Sequence, residues 1–356
     1  LINRHREYIS AGRVESSGVL DRLVVFTNTD GPTRQIYSDG LVLIVGLNLW
    51  SWLSLSLGIG FKKKQILSEI DPRVITCSDP WLSYLFGAMY RRRVLKKNRE
   101  IKIQLQIHGD FFSKEWKTSF KQLAKSQLAK TSIKKADQIR CVSESLRQEL
   151  IDMNLASHEK VVMAPVPITL IKRNGTFVTK LPKTIGFVGR IQPERGLEFF
   201  YDFAKMIFNI DPTIKFLIVG DGSSRKSFEE LLEKSIPKNQ IEFMGHLPLE
   251  ELEKVWERIG VLVSTAPSES YGRALREALI HGVPVWSTDT RGLRDLIQEY
   301  PSGKIRKISL NNSEAKFNED LTFLFSQERD FGYRHQYEIA RASIVGEIGS
   351  FWARLL

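Results

Sequence analysis

The 356-residue chain has an ordinary globular composition, 42% hydrophobic and 26% charged, with a formal net charge of +11. It contains no low-complexity tract and no repeat of solenoid period, which excludes a disordered chain and a repeat array. The length predicts two domains. The two cysteines, Cys77 and Cys141, lie in apolar, strand-like runs, which indicates reduced, buried thiols and a cytosolic setting.

The positive charge is concentrated in the first half of the chain. Residues 1–180 carry 29 Lys and Arg against 16 Asp and Glu, whereas the remainder carries 23 against 25. A basic half indicates an anionic partner, such as phospholipid headgroups, a lipid-linked diphosphate or nucleic acid. The alternative is a solvated basic surface without a partner.

The first predicted domain covers residues 1–170 and opens with a helix over 3–10, followed by strands at 23–27 and 41–45. The charge-free run 41–60 is long enough to span a membrane. Its β-branched start and its Asn and Gly content instead favour a buried strand followed by an apolar helix. That helix suits either a bilayer interface or an ordinary core.

Further strands of this domain are predicted at 74–78, 101–107, 138–142 and 160–163. His108 and Asp110 directly follow the second of these, at a carboxyl strand end, where α/β folds place functional side chains. A lysine-rich amphipathic helix is predicted over 114–135. Its core-facing side chains are expected to be Phe120, Leu123, Ala124 and Leu128.

The second predicted domain covers residues 183–335 and alternates strands with helices. Strands are predicted at 184–188, 215–219, 241–244, 261–265 and 283–287. This alternation predicts right-handed βαβ units in a parallel sheet. Several of its strand-to-helix turns carry the residues Gly189, Arg190, Arg195, Gly220 and Gly245. A terminal helix is predicted over the tail, 331–356.

The stretch from Pro267 to Glu277 forms one such turn, between an apolar strand and a helix. Gly272 allows a ligand to approach the backbone closely. The free N–H groups of Tyr271, Gly272, Arg273 and Ala274 are predicted to form an anion site. Glu269 and Glu277 flank that site, and carboxylates there favour ligand hydroxyls. The pattern therefore predicts a phosphate with a sugar on one side and a ribose on the other.

The string Ser-Glu-Ser-Tyr-Gly-x4-Glu-Ala-x3-Gly-Val-Pro-Val resembles the E-x7-E motif of retaining GT-B glycosyltransferases of family 4. The resemblance implies an α/β, GT-B fold, with two Rossmann-like domains facing each other across a cleft. It implies an acceptor domain at 1–170, a donor domain at 183–335 and a C-terminal helix, 336–356, that packs back on the first domain. The family's first strand and glycine-rich loop are not found, so we expect the chain to start inside the first helix.

The resemblance also implies roles for individual residues. Glu269 would hold the donor sugar and Glu277 the ribose, while Arg190 and Arg195 would grip the diphosphate. Arg195 stands where the family usually has Lys, which keeps the charge but changes its geometry. His108 would lie near the anomeric carbon, and Asp110 on the acceptor side. The remaining donor-binding residues would be Gly189, Gly220, Gly245, Tyr271, Gly272, Arg273 and Ala274.

The resemblance implies a retaining hexosyltransferase, which we expect to need no metal and no cofactor. A UDP-glucose-like donor is the first choice and GDP-mannose the second, with a saccharide or lipid-linked saccharide as the acceptor. The predicted pathway is polysaccharide or glycolipid synthesis, and the predicted location is cytoplasmic, with peripheral contact to an anionic inner membrane face and no nucleic acid. The alternatives are a non-catalytic sugar-nucleotide-binding protein and a basic nucleic-acid-binding protein.

Overall fold

The computed structural model describes residues 9–11, 23–28, 34–39, 42–47, 72–94, 101–114, 116–170, 179–309 and 312–353. The chain forms two compact units. The first comprises Leu1–Phe112, Lys117–Pro167 and Arg341–Leu356, and the second comprises Ser113–Trp116 and Ile168–Ala340. The apolar helix predicted after residue 47 lies outside the described residues.

The strands of the first unit form two sheets. Their bounds are β1 Leu23–Asn28, β2 Arg34–Ser38, β3 Val42–Leu47, β4 Val74–Cys77, β5 Lys102–Ile107, β6 Gln138–Cys141 and β7 Val161–Met163. One sheet has the order β1-β3-β2, and the other the order β4-β5-β6-β7 with every pair parallel. The sequence did not predict β2, which is a five-residue strand antiparallel to β3.

The helices of the first unit include crossovers between the parallel strands. They are α1 Leu82–Val94, α2 Phe120–Lys135 and α3 Glu144–Asp152. The helices α2 and α3 begin after serine N-caps, Ser119 and Ser143, whose hydroxyls accept hydrogen bonds from backbone N–H groups of the first turn.

The orientation predicted for α2 is wrong. Its buried residues are Ser126, Ala129, Ser132 and Ile133. The four residues predicted to face the core, Phe120, Leu123, Ala124 and Leu128, are exposed instead. Three of the four buried side chains are small, so the inward side of the helix is not the side that carries most of its large apolar residues.

Both cysteines are buried, free thiols in the first unit. Burial raises the pKa of Cys77 to about 12, and that of Cys141 also to about 12. Both thiols therefore stay protonated at neutral pH. They behave as small apolar side chains and not as nucleophiles.

The second unit is built on a six-stranded, fully parallel sheet. Its strands are β8 Thr184–Val188, β9 Lys215–Val219, β10 Ile241–Gly245, β11 Val261–Ser264, β12 Val285–Thr288 and β13 Ile305–Ile308. Their order is β10-β9-β8-β11-β12-β13. The predicted parallel sheet is confirmed; the sequence did not predict its edge strand, β13.

Helices connect these strands, and the last of them reaches residue 353. They are α4 Leu197–Ile210, α5 Arg225–Leu232, α6 Leu249–Val255, α7 Arg273–Ile280, α8 Arg291–Glu299, α9 Glu314–Ser326 and α10 Gly332–Ala353. The last helix passes from the second unit into the first. Within the first unit, its residues Val345, Ile348 and Phe351 pack with Val162 and Ala164.

An aromatic cluster fixes the sheet of the second unit to its helices. Phe203 on α4 contacts Trp286 on β12 edge to face, with ring centroids 5.0 Å apart, and Phe317 on α9 at 6.0 Å. Phe200 similarly meets Phe187 on β8 at 5.5 Å. Such buried rings contribute much of a core's stability. They join β8 and β12 to the helices α4 and α9.

No helix among the described residues is both long enough and apolar enough to cross a bilayer.

Candidate active site

Glycine turns follow three neighbouring strands of the second unit. Gly189, Gly220 and Gly245 come at the ends of β8, β9 and β10 and have φ angles of 156°, 133° and 71°. The Gly220 N–H donates to the Gly245 carbonyl at 2.8 Å. A Cβ on Gly220 would lie 1.8 Å from the Gly189 carbonyl oxygen, so only glycine fits there. The three predicted glycines thus lie together at the carboxyl ends of three adjacent strands.

A helix begins near this edge with no side-chain cap. The N-cap of α7 is Gly272, in the left-handed region at φ 68° and ψ 50°, and Arg273 and Ala274 open the helix. The N–H groups of the first turn have no partner within the helix. Together with the helix dipole they favour an anion at this position. The geometry therefore suits the predicted phosphate site.

An ion pair lies beside this helix start. The Arg195 Nη1 atom is 2.6 Å from the Glu269 Oε2 atom, and both side chains are partly buried. Arg195 ends the loop after β8, and Thr265, which follows β11, donates its hydroxyl to the Gly196 carbonyl at 2.9 Å. Two residues that the sequence separates by 74 positions are therefore in direct contact.

A small cavity brings four of the predicted residues together. It measures about 30 Å³ and is lined by Arg195, Glu269, Gly272 and Ala274 among other residues. A volume of this size holds roughly one water molecule. The cavity therefore marks where a cation, a carboxylate and a helix start converge.

The second predicted carboxylate is paired as well. Glu277 Oε1 lies 2.8 Å from Arg273 Nε, one helical turn earlier, and the Glu277 side chain is mostly buried. Arg190, by contrast, is exposed, 3.8 Å from the exposed Glu194. An exposed pair at this distance contributes little to stability. Arg190 is thus a cation that can reach a ligand at small cost.

Two predicted residues lie in the first unit. His108 follows β5, and its Nε2 atom is 2.9 Å from the Gln106 Oε1 atom. The Gln106 amide oxygen also accepts from Arg140 Nη1 at 3.2 Å. Asp110 is buried two residues later. The roles of His108 and Asp110 toward sugar and acceptor stay predictions.

Arg276 is a site residue that the sequence did not reveal. Its side chain is fully buried on α7, with 0% exposure. The guanidinium lies over the Tyr271 ring at 4.0 Å, donates to the Tyr271 carbonyl and donates to Glu299 Oε1 at 2.5 Å. It therefore anchors the residue just before Gly272. Arg276 lies three residues before Leu279 and four before Ile280, which are both buried. This spacing places the three side chains on one face of α7 and could have been used to predict that Arg276 is buried.

Tyr271 is buried under this guanidinium. Burial raises the pKa of its phenol above the usual range, so the hydroxyl stays protonated. Its predicted contribution to donor binding is through its backbone. In the part of the chain that the structure describes, no three His, Cys, Asp or Glu side chains gather closely enough to hold a metal ion. Independence of metal stays a prediction.

The sequence of this chain is similar to sequences of known glycosyltransferases. The sequence model of the family described as "Glycosyl transferases group 1" matches residues 171–339. A 2-deoxystreptamine glucosyltransferase of Streptomyces kanamyceticus is 27% identical over 152 residues, which is 42% of this chain and 39% of that enzyme. A GDP-mannose-dependent alpha-mannosyltransferase of Mycolicibacterium smegmatis is 27% identical over 148 residues, or 42% of this chain and 36% of that enzyme.

The match to a solved structure covers more of this chain than the sequence matches do. The structure of HepE from Anabaena, in complex with UDP and glucose, matches with a TM-score of 0.60 at 15% identity. The match covers 97% of this chain and 90% of that one. It supports the predicted fold class, α/β of the GT-B type. The matched sequence, by contrast, spans about two fifths of the length of the two curated relatives named above.

Proposed function

We propose that this chain is a glycosyltransferase that moves a hexose from a nucleotide diphosphate sugar to a saccharide or lipid-linked saccharide, because the model of the family described as "Glycosyl transferases group 1" matches residues 171–339. One observation carries the proposal: Arg195, Glu269 and the uncapped start of α7 line a single cavity. A cation and a helix start suit a diphosphate, and a carboxylate beside them suits sugar hydroxyls.

The proposed chemistry follows from charge. Breaking the sugar–phosphate bond leaves positive charge on the anomeric carbon and negative charge on the diphosphate. Arg190, Arg195 and the first-turn N–H groups of α7 would stabilise the leaving diphosphate. His108 is assigned to the donor sugar and Asp110 to the acceptor, as the sequence resemblance implies. We propose retention of configuration, membership of family 4 and no role for a metal on the same resemblance.

The Arg195–Glu269 pair suggests how a donor would bind. The guanidinium pairs with the carboxylate at 2.6 Å, and both side chains line the small cavity. A bound diphosphate would offer Arg195 a second anion, with which a guanidinium makes strong charge-assisted bonds. Glu269 would then be free to accept hydrogen bonds from the sugar. Donor binding is thus an exchange of partners for Arg195.

A UDP-glucose-like donor remains the first choice, and GDP-mannose the second. Support comes from the names of the relatives, which include a glucosyltransferase and a GDP-mannose-dependent enzyme, and from the UDP and glucose bound by HepE. A cytoplasmic location, with contact to an anionic membrane face during polysaccharide or glycolipid synthesis, is proposed from the basic first half of the chain.

Calorimetry with UDP and GDP, followed by assays of donor hydrolysis, tests the proposal. We expect UDP to bind and UDP-glucose to release UDP slowly in the absence of acceptor, with GDP-mannose as the second donor to try. Binding without turnover of either donor, even with saccharide acceptors, would favour the non-catalytic sugar-nucleotide-binding alternative. Salt-sensitive binding to duplex DNA with no affinity for either nucleotide would favour the nucleic-acid alternative.

A further inference from the structure

The outer face of α2 is apolar and exposed. Phe120 is 86% exposed, Leu123 46% and Leu128 48%. Phe120 and Leu128 are eight residues apart, so they lie on one side of the helix, with the exposed Ala124 between them. Leu123 flanks this row. An apolar row of this kind, with an aromatic ring almost fully in water, is typical of a surface that a partner covers.

The same helix is strongly basic. Residues 116–136 contain six lysines, Lys117, Lys121, Lys125, Lys130, Lys134 and Lys135, and no Asp or Glu. Among the described residues, no carboxylate forms an ion pair with any of them. The apolar row therefore lies on a lysine-rich helix, and the partner that suits it is both apolar and anionic.

Contacts between Trp81 and Lys125 join α2 to the start of α1. The Trp81 indole N–H donates to the Lys125 carbonyl at 2.8 Å, and the Lys125 ammonium lies 4.8 Å from the centre of the Trp81 ring. Leu82, the next residue, and Leu85 are both exposed. No acidic residue occurs in α1, whose sequence ends in Arg91-Arg92-Arg93-Val94.

We propose that the outer face of α2 docks on the surface of a bilayer that contains anionic lipid. Phe120, Leu123 and Leu128 would enter the boundary between headgroups and acyl chains, and the flanking lysines would meet lipid phosphates. A nucleic acid would match the charge but leave the apolar row uncovered. This inference deepens the proposed membrane contact, and it is tested by vesicle binding, which does not depend on sugar transfer.

Co-sedimentation of the full chain with lipid vesicles tests this docking. We expect the protein to sediment with phosphatidylcholine vesicles that contain phosphatidylglycerol, and not with pure phosphatidylcholine. High salt should weaken binding because the attraction is partly electrostatic. The double variant Phe120→Ser/Leu128→Ser should bind at least about tenfold more weakly, since two apolar side chains no longer leave water.

Two matched variants keep the result interpretable. Ile339→Ser changes an exposed isoleucine in the second unit, 71% accessible, and should leave vesicle binding unchanged. Lys121→Gln/Lys135→Gln should weaken binding to anionic vesicles while circular dichroism stays that of the parent protein. Donor hydrolysis measured without vesicles should be equal in all of these variants, so a failure of docking is distinguishable from a failure of the proposed function.

Three outcomes would overturn the docking proposal. The first is a Phe120→Ser/Leu128→Ser variant that binds vesicles as the parent does. The second is a protein that ignores anionic vesicles but binds duplex DNA. The third is a stable dimer in solution that the same double substitution dissociates, which would assign this face to a second copy of the chain.

Discussion

Replacing Glu269 by glutamine is expected to reduce sugar transfer by about 100-fold, because the sugar loses the carboxylate that orients its hydroxyls. Binding of UDP alone should not weaken and should tighten modestly. The reason is the ion pair: Glu269 neutralises Arg195 at 2.6 Å, and its removal leaves the guanidinium free for the diphosphate. Loss of transfer together with retained nucleotide binding distinguishes this role from a structural one.

Steady-state kinetics and calorimetry with UDP measure the two effects separately. Glu194→Gln is the matched control, since Glu194 is an exposed carboxylate near Arg190 in the adjacent loop; we expect transfer to change less than about twofold, as for an exposed ion pair. Unchanged turnover in Glu269→Gln would refute the assignment. Equal loss of UDP binding and of transfer would show that Glu269 acts only by holding the loop.

Replacing Arg276 by methionine should destabilise the second unit and weaken donor binding together. The buried guanidinium contacts the Tyr271 ring and carbonyl and the Glu299 carboxylate. Its loss leaves a buried carbonyl unpaired, and we expect the free energy of unfolding to fall by about 3 kcal/mol. The turn before Gly272 loses its anchor, so kcat/KM for the donor should fall between about 10- and 100-fold.

Urea unfolding and donor kinetics measure these two quantities. Arg294→Met removes an exposed arginine paired with Asp289 at 3.2 Å, and it should cost less than about 0.5 kcal/mol with normal kinetics. Arg276→Lys keeps the charge and should recover part of both losses, because the ammonium can still reach one acceptor. An Arg276→Met protein with the parent's stability and kcat/KM would contradict the positioning role.

The sequence predicted most of the strands of the second unit because most are short apolar runs, and three of them end at or directly before a glycine. Phe187, Phe216 and Val263 belong to such runs and are buried as a parallel sheet requires. The predicted fold class is confirmed for the same reason. The short edge strands β2 and β13 were not predicted, because Arg34, Arg306 and Lys307 interrupt their apolar pattern.

Side-chain partners could not be predicted in the same way. The sequence string around Glu269 and Glu277 predicted a site, but the ion pairs with Arg195 and Arg273 depend on the three-dimensional arrangement of the side chains. The inward face of α2 was predicted wrongly because the buried positions include the small residues Ser126 and Ala129, whereas the larger Phe120 and Leu128 are exposed. Arg276 was missed because a helical arginine normally lies in solvent.

A crystal structure of the protein with UDP tests the central proposal most directly. We expect the diphosphate to contact Arg195 and the first-turn N–H groups of α7 at Gly272 and Ala274, with the ribose hydroxyls on Glu277. The Arg195–Glu269 contact should then be broken. UDP bound elsewhere, with the 2.6 Å ion pair intact, would contradict the proposal.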